Sequence, residues 1–134
     1  MTRNEAREIM MQILYEMDAR KSLEEEKARE LAEERLRGDH AKRGGLLLSQ
    51  TVSHLEEIDA DINKYASRWK TSRMPKVDLA IMRLACGEMR FCDSIPEAVT
   101  INEAINMAKK YSTDNSARFI HGVLGAISKG NRDD

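Results

Sequence analysis

Apolar residues recur at three- and four-residue intervals over most of the chain, the spacing that places them on one face of an α-helix. The N-terminal example is the stripe Ala6, Ile9, Met10, Ile13, Leu14 and Met17. Thr2 and Glu5 form a T-x-x-E capping box just before it, which predicts a first helix that begins almost at the terminus. Ser22 and Glu25 form a second such box and predict a second, strongly charged helix.

A longer apolar series follows the glycines Gly38, Gly44 and Gly45. Its members are Leu47, Leu48, Thr51, Val52, Leu55, Ile58, Ile62 and Tyr65. This spacing predicts one long helix from about Leu46 to about Trp69. Three helices would then form an N-terminal subdomain over residues 1–72, with residues 71–75 as the joint to the rest of the chain.

Three further periodic segments occupy the last part of the chain. Their apolar positions are Val77, Ala80, Ile81, Leu84 and Ala85, then Val99, Ile101, Ala104, Ile105 and Ala108, then Phe119, Ile120, Val123, Leu124 and Ile127. Pro96 suits a first helical position because that position needs no N–H. Gly122 and Gly125 are expected to allow close approach of another helix, and Arg83 and Glu88 to pair with other helices. We therefore predict an all-α fold of two packed three-helix bundles, with the second bundle over residues 73–134.

Composition narrows the class of protein. With 41% apolar residues, 34% charged residues and only 2 prolines, the chain suits a soluble helical domain. A net charge of -1 argues against a protein that coats nucleic acid non-specifically, so any RNA contact must come from local clustering. The N-terminus lacks an apolar signal core, and no stretch approaches the roughly 20 apolar residues of a membrane span. We expect a cytoplasmic protein that does not contact membranes.

The sequence offers little for catalysis. His40, His54 and His121 are scattered outside any metal-ligand spacing, and no phosphate-binding glycine loop is present. Cys86 and Cys92 are six residues apart and would point to different sides of a helix. We therefore expect no cofactor, no metal and no enzymatic activity, although a base that is distant in sequence from either thiol is invisible at this stage.

Two groups of residues have the chemistry expected of an RNA contact. Arg3 and Arg7 share one face of the first predicted helix, where both are expected to face solvent, with Tyr15 on nearly the same side. In the second group, Lys109, Lys110 and Tyr111 end one predicted helix, and Asp114, Asn115, Ser116, Arg118 and Phe119 begin the next. Such a corner offers free backbone N–H groups and cations to phosphates and aromatic rings to unstacked bases. Phe119 alone is more typical of a core residue.

The predicted joint is basic. It carries Lys64, Arg68, Lys70, Arg73 and Lys76, with no acid between Ile62 and Val77. This run indicates either a surface for phosphates or a partner, or simply a solvated connector. Trp69 within it either fills a gap between the subdomains or stacks on a base.

Three segments together carry a resemblance to a known family. They are a D-x-A-I-x-R-L-A-x-x-E segment from Asp78, an I-P-x-x-V-x-I-N-E-A segment from Ile95 and an S-x-x-F-I-x-G-V-L segment from Ser116. With Ala6-Arg7-Glu8, Gln12, Leu14 and Tyr15 at the front, they closely resemble, in content and order, the NusB family of bacterial transcription antitermination factors.

The resemblance implies a fold, partners and site residues. NusB proteins consist of two packed three-helix units and bind boxA RNA as a heterodimer with NusE, a ribosomal small-subunit protein. The same role here would help assemble an antitermination complex with the transcription elongation complex on nascent ribosomal RNA. The family's RNA contacts fall on Arg3, Arg7, Tyr15, Tyr111, Asn115 and Phe119, and its NusE contact falls on Asp78.

Some positions depart from the family. The arginine-dense start of the family is here Arg3-Asn4-Glu5-Ala6-Arg7, which implies weaker RNA binding without a partner. Asn115 stands where an acid is common, which removes one carboxylate that would repel phosphate.

Two alternative functions stay open. NusB-like domains also recruit RNA at the front of ribosomal RNA methyltransferases, and that role would need a catalytic domain beyond Asp134. Some family members form homodimers, so a homodimeric scaffold that covers its RNA face is the other alternative.

Overall fold

The computed structural model describes residues 1–133, which form seven α-helices and no strand. The helices are α1 (Arg3–Ala19), α2 (Glu25–Arg35), α3 (Asp39–Ser53), α4 (Leu55–Tyr65), α5 (Lys76–Phe91), α6 (Glu97–Tyr111) and α7 (Asp114–Asp133). The prediction of an all-α fold is confirmed. Within the described chain, no helix combines the length and the apolar character that crossing a bilayer requires.

α5 is the central helix of the fold. Its residues from Asp78 to Glu88 are all buried, and it packs against α1, α3, α4, α6 and α7. Helices α1, α2 and α3 pack against one another, whereas α4 packs mainly on α5 and α7, and buried residues of all these helices belong to one hydrophobic core. The boundary predicted at residues 72 and 73 falls in the segment between α4 and α5.

The middle of the chain contains two helices where one was predicted. α3 begins at Asp39, before the glycine pair, and the helix breaks at His54 (φ -112°, ψ 24°) before α4. Gly44 and Gly45 lie inside α3 and face α2: a Cβ at Gly44 would overlap the Leu36 side chain, whereas one at Gly45 would make an ordinary contact of 3.7 Å with Ala32 Cβ. Gly44 therefore allows close helix packing, and neither glycine interrupts the helix.

The helix starts agree only in part with the sequence signals. Thr2 caps α1 as predicted, and its hydroxyl accepts a hydrogen bond of 3.1 Å from the Glu5 N–H. Ser22 does not cap α2, whose N-cap is Glu24 with no side-chain hydrogen bond. Pro96 is the N-cap of α6, one position before the helix that was expected to begin with it.

Close approach of another helix was predicted at Gly122 and Gly125, but it occurs at Gly87 of α5. A Cβ added at Gly122 or Gly125 would meet no atom within 4 Å, so the expectation for these two residues is wrong. At Gly87 an added Cβ would lie 3.1 Å from Thr51 Cβ, because α3 crosses α5 there.

Candidate nucleic-acid interface

Arg7 does not face solvent, and this corrects the expectation drawn from the sequence. Its side chain is buried, and its Nη2 lies 2.5 Å from Glu88 Oε1, with Nε donating to both carboxylate oxygens at 3.1 Å. Burial alone would lower the pKa of Arg7, but the hydrogen bond and negative charge of Glu88 outweigh it and raise the pKa above its usual value. We expected Glu88 to pair with a residue of another helix, but the sequence did not identify Arg7 as that residue.

The Arg7–Glu88 pair extends into a network that joins three helices. Thr100, in the first turn of α6, donates from its hydroxyl to Glu88 Oε1 at 3.1 Å. Asn4 Oδ1 accepts a hydrogen bond of 3.1 Å from Arg7 Nη1. A buried guanidinium with these partners holds the first turns of α1 against α5 and α6, and it is not available to a phosphate.

Glu8 connects the start of α1 to the end of α6. Its carboxylate accepts hydrogen bonds from Lys110 Nζ at 2.9 Å and from the Tyr111 hydroxyl at 3.1 Å. The hydrogen bond to Glu8 raises the pKa of Lys110 above its ordinary value. The N-terminal turns and the second group of candidates thus lie side by side. Sequence reasoning missed Glu8, because its partners lie more than a hundred positions away.

Two tyrosines among the candidates are exposed. Tyr111 is 37% exposed and Tyr15 is 39% exposed. Tyr15 lies two helical turns beyond Glu8, so it shares the face of α1 that carries Glu8 and not the face of Arg7. Exposed phenol rings on α1 and α6 are suited to stacking on unpaired bases.

The corner between α6 and α7 is held by a local cap. Thr113 Oγ1 accepts a hydrogen bond of 3.0 Å from the Ser116 N–H, and Arg118 donates to Asn115 Oδ1. Lys109, Asn115 and Arg118 are exposed. The corner therefore carries cations at the amino end of a 20-residue helix, where the helix dipole also favours anions.

Phe119 occupies a position between core and surface. It is half-buried, and its ring lies 5.3 Å from that of Trp69 in an edge-on arrangement at 67°. Trp69 remains 39% exposed. Both alternatives considered for Trp69 are therefore compatible with its position, because the indole packs on α7 and still faces solvent.

Asp78 is fully buried at the start of α5. Its Oδ2 accepts a hydrogen bond of 2.6 Å from the Ser116 hydroxyl, and its Oδ1 has no hydrogen-bond partner among the described residues. The carboxylate is thus not exposed to a partner protein in this conformation, although the sequence comparison pointed to such a contact. It ties α5 to the first turn of α7.

Arg3 lines a cleft of about 350 Å³ between α1, α3 and the α5–α6 connection, and Arg7 lines the same cleft. His40 and Arg43 of α3 and Phe91 and Cys92 at the end of α5 also line it. Arg43 is a cation that no motif of the sequence marks as a candidate. Burial raises the pKa of Cys86 to about 12, and burial and Glu88 raise that of Cys92, so neither thiol is poised as a nucleophile.

These observations define the class of protein. It is a small all-α protein of two packed bundles, with tyrosines and cations gathered where α1 meets the α6–α7 corner. Among the side chains of residues 1–132, no cluster of three or more His, Cys, Asp or Glu is placed to hold a metal ion. The model of the NusB family matches residues 4–129, and the chain belongs to that family.

Similar proteins carry the same assignment. A transcription antitermination protein NusB of Thermoanaerobacter sp. (strain X514) is 40% identical over 127 residues, which cover 95% of this chain and 90% of the relative. The structure of T. maritima NusB superposes with a TM-score of 0.86 at 31% identity, covering 96% of this chain and 92% of that chain. A crystal structure of antitermination factors NusB and NusE in complex with dsRNA contains a chain with a TM-score of 0.82 at 29% identity, with 96% of each chain covered.

Proposed function

We propose that the protein is a non-catalytic transcription antitermination factor that binds boxA-like single-stranded RNA together with the ribosomal protein NusE. In this role it would act within a transcription elongation complex on ribosomal RNA operons. The contact of Glu8 with Lys110 and Tyr111 carries the proposal, because it joins the two candidate groups into one surface. The similar solved complex, which contains NusB, NusE and RNA, supports the choice of partners.

The proposed RNA contacts divide by chemistry. The cations are Arg3, Lys109, Lys110 and Arg118, and they would neutralise phosphates. The rings of Tyr15, Tyr111 and Phe119 would stack on unpaired bases, while the Asn115 amide would hydrogen-bond to the backbone or to a base edge. Arg7 belongs to this set only indirectly, since its side chain holds α1 in place.

The partner contact is proposed to lie at the start of α5. Because Asp78 is buried and bonded to Ser116, it would influence NusE by fixing the first turn of α7 against α5. Each partner alone would bind RNA weakly, and the joint surface would bind it more tightly because the second contact becomes intramolecular.

The proposal is tested by titrating labelled boxA-like RNA and a scrambled RNA, each with and without NusE, at two salt concentrations. We expect tight binding only of the boxA-like RNA with NusE present. Tyr111→Leu should weaken binding by about tenfold, the loss expected for one stacked base. Arg132→Ala, an exposed cation at the far end of α7, is the matched control and should change nothing. Equal binding of both RNAs, or none with NusE present, would contradict the proposal.

Light scattering on the same samples addresses self-association. A homodimer that dissociates when RNA and NusE are added would mean that a second copy covers the RNA surface. A homodimer that persists and excludes RNA would favour the scaffold function instead.

A further inference from the structure

The end of α4 and the segment between α4 and α5 present exposed cations. Lys64 in the last turn of α4 and Arg68, Lys70 and Arg73 beyond it form no ion pair with any of residues 1–132. Lys70 Nζ donates instead to the Asn63 carbonyl at 2.8 Å. Four cations between residues 64 and 73 produce a local positive potential in a chain whose net charge is only -1.

The acids nearest in sequence do not reduce this charge, because they are already paired elsewhere. Asp59 accepts hydrogen bonds from Arg83 at 3.0 and 2.7 Å, and Asp61 accepts one of 2.8 Å from Arg90. Both arginines belong to α5, so these ion pairs join α4 to α5 and do not involve the connecting segment.

The same segment carries an aromatic ring with an accessible face. The edge-on contact with Phe119 covers at most one face of the Trp69 indole, and 39% of the residue is exposed. A large exposed aromatic ring beside unpaired cations is the combination by which proteins bind single-stranded nucleic acid. An indole that only filled a gap in the core would be enclosed on both faces.

The Trp69 ring lies next to the candidate RNA surface at the corner between α6 and α7. Phe119 follows Arg118 on α7 and lies one helical turn from Asn115, so Trp69 sits beside the corner between α6 and α7. A strand that leaves the corner over Phe119 would meet the indole next and then the cations of the α4–α5 segment.

We propose that Trp69, with Arg68, Lys70 and Arg73, forms a second single-stranded RNA contact that continues the strand path beyond the α6–α7 corner. One unpaired base stacks on the exposed face of the indole, and the three cations contact the neighbouring phosphates. This inference rests on the proposed function, because it extends the path of the same RNA strand.

Trp69 is the only tryptophan in the chain, so its fluorescence reports directly on this contact. The test uses fluorescently labelled single-stranded RNAs of about six and about twelve nucleotides, within the range of sizes that such sites occupy. Anisotropy measures whether each RNA binds at all, and tryptophan emission measures whether a base stacks on the indole. All titrations are made with NusE present.

We expect both RNAs to bind and the longer one to quench Trp69 more strongly. Trp69→Leu should weaken binding of the longer RNA by about tenfold and leave the shorter one nearly unchanged. Arg73→Ala should reduce the slope of log affinity against log salt by about one for the longer RNA only. Lys27→Ala, an exposed cation on α2, is the matched control. Trp69→Phe, which keeps an aromatic ring against Phe119, should retain part of the affinity.

The outcomes separate this inference from the function on which it rests. If the longer RNA binds without quenching Trp69, and Trp69→Leu and Arg73→Ala bind it like the parent, the second contact is refuted while the proposed function stands. If NusE alone changes the tryptophan emission and RNA adds nothing, the segment is a protein-docking surface and the proposal is overturned. If no RNA binds, both proposals fail. The fluorescence titration needs no substitution, so a variant that fails to fold does not remove the test.

Discussion

The Arg7 guanidinium and the Glu88 carboxylate form a buried ion pair that fastens the first helix to the central one. Their side chains are 6% and 3% exposed, and the two residues are 81 positions apart in sequence. An arginine that the family resemblance marks as an RNA contact is thus committed to the protein interior. If a substitution of Arg7 weakens RNA binding, the first explanation to test is therefore that the variant has lost stability.

Arg7→Ala is expected to destabilise the fold by about 3–5 kcal/mol, because it leaves the Glu88 carboxylate buried without its countercharge. Urea denaturation followed by circular dichroism measures this. Arg3→Ala removes an exposed arginine four residues earlier on the same helix and should change the free energy of unfolding by less than about 0.5 kcal/mol. Equal stability of the two variants would show that the buried pair contributes little.

The comparison of these arginines shows what the sequence could predict. Helical stripes and the Thr2 cap depend on neighbours within one or two turns, so their spacing in the sequence is enough to find them. Judged by their spacing from the apolar stripe of α1, both Arg3 and Arg7 were expected on its exposed face. Only the position of Glu88 in three dimensions separates them, and that position depends on how α1 and α5 pack. The start of α3 at Asp39, before Gly44 and Gly45, also depends on packing, because both glycines face α2.

The residue types of the candidate site could be predicted from the sequence, but the contacts between those residues could not. Tyr15, Tyr111 and the cations of the α6–α7 corner were selected by chemistry alone. The contact between Glu8 and the end of α6 became visible only in the fold, because it joins residues near opposite ends of the chain. Arg43 carries no local signal and is distinguished only by lining the same cleft as Arg3.

Ser116→Ala is expected to reduce stability by about 1–3 kcal/mol, because it removes the hydrogen-bond donor to the buried Asp78 carboxylate. Thermal unfolding measures the change. Ser53→Ala serves as the control, since that hydroxyl is exposed and bonds only within its own helix end. Asp78→Lys would bury a cation and is expected to unfold the protein, so loss of partner binding by that variant would say nothing about a direct contact. An unchanged melting temperature for Ser116→Ala would contradict the role given to this hydrogen bond.

Gly87→Ala and Gly122→Ala are expected to have opposite effects on stability. At Gly87 a methyl group would press on Thr51, whose hydroxyl already donates to the Leu47 carbonyl at 2.7 Å, so α3 and α5 would be forced apart. We expect a loss of about 1–3 kcal/mol there. At Gly122 nothing lies within 4 Å, so alanine should stabilise α7 by about 0.5–1 kcal/mol through its higher helix propensity. Denaturant titration of both variants measures the difference, and a destabilised Gly122→Ala would show that α7 is closely packed at that position.

Stability should fall at alkaline pH in part because of Cys86. Burial raises its pKa from 9.0 to about 12 in the folded protein, so between these values the unfolded chain loses the thiol proton while the folded chain keeps it. The free energy of unfolding therefore decreases as pH rises above 9.0. The Cys86 contribution to this decrease should be about 1 kcal/mol between about pH 8 and about pH 10. Comparing the pH dependence of urea unfolding in the parent and in Cys86→Ala isolates it, because a cavity left by alanine lowers stability equally at every pH. Cys92→Ala, at a partly exposed thiol, should retain most of the parent's dependence. Identical pH profiles for the parent and Cys86→Ala would mean that the buried thiol ionises as readily as a free one.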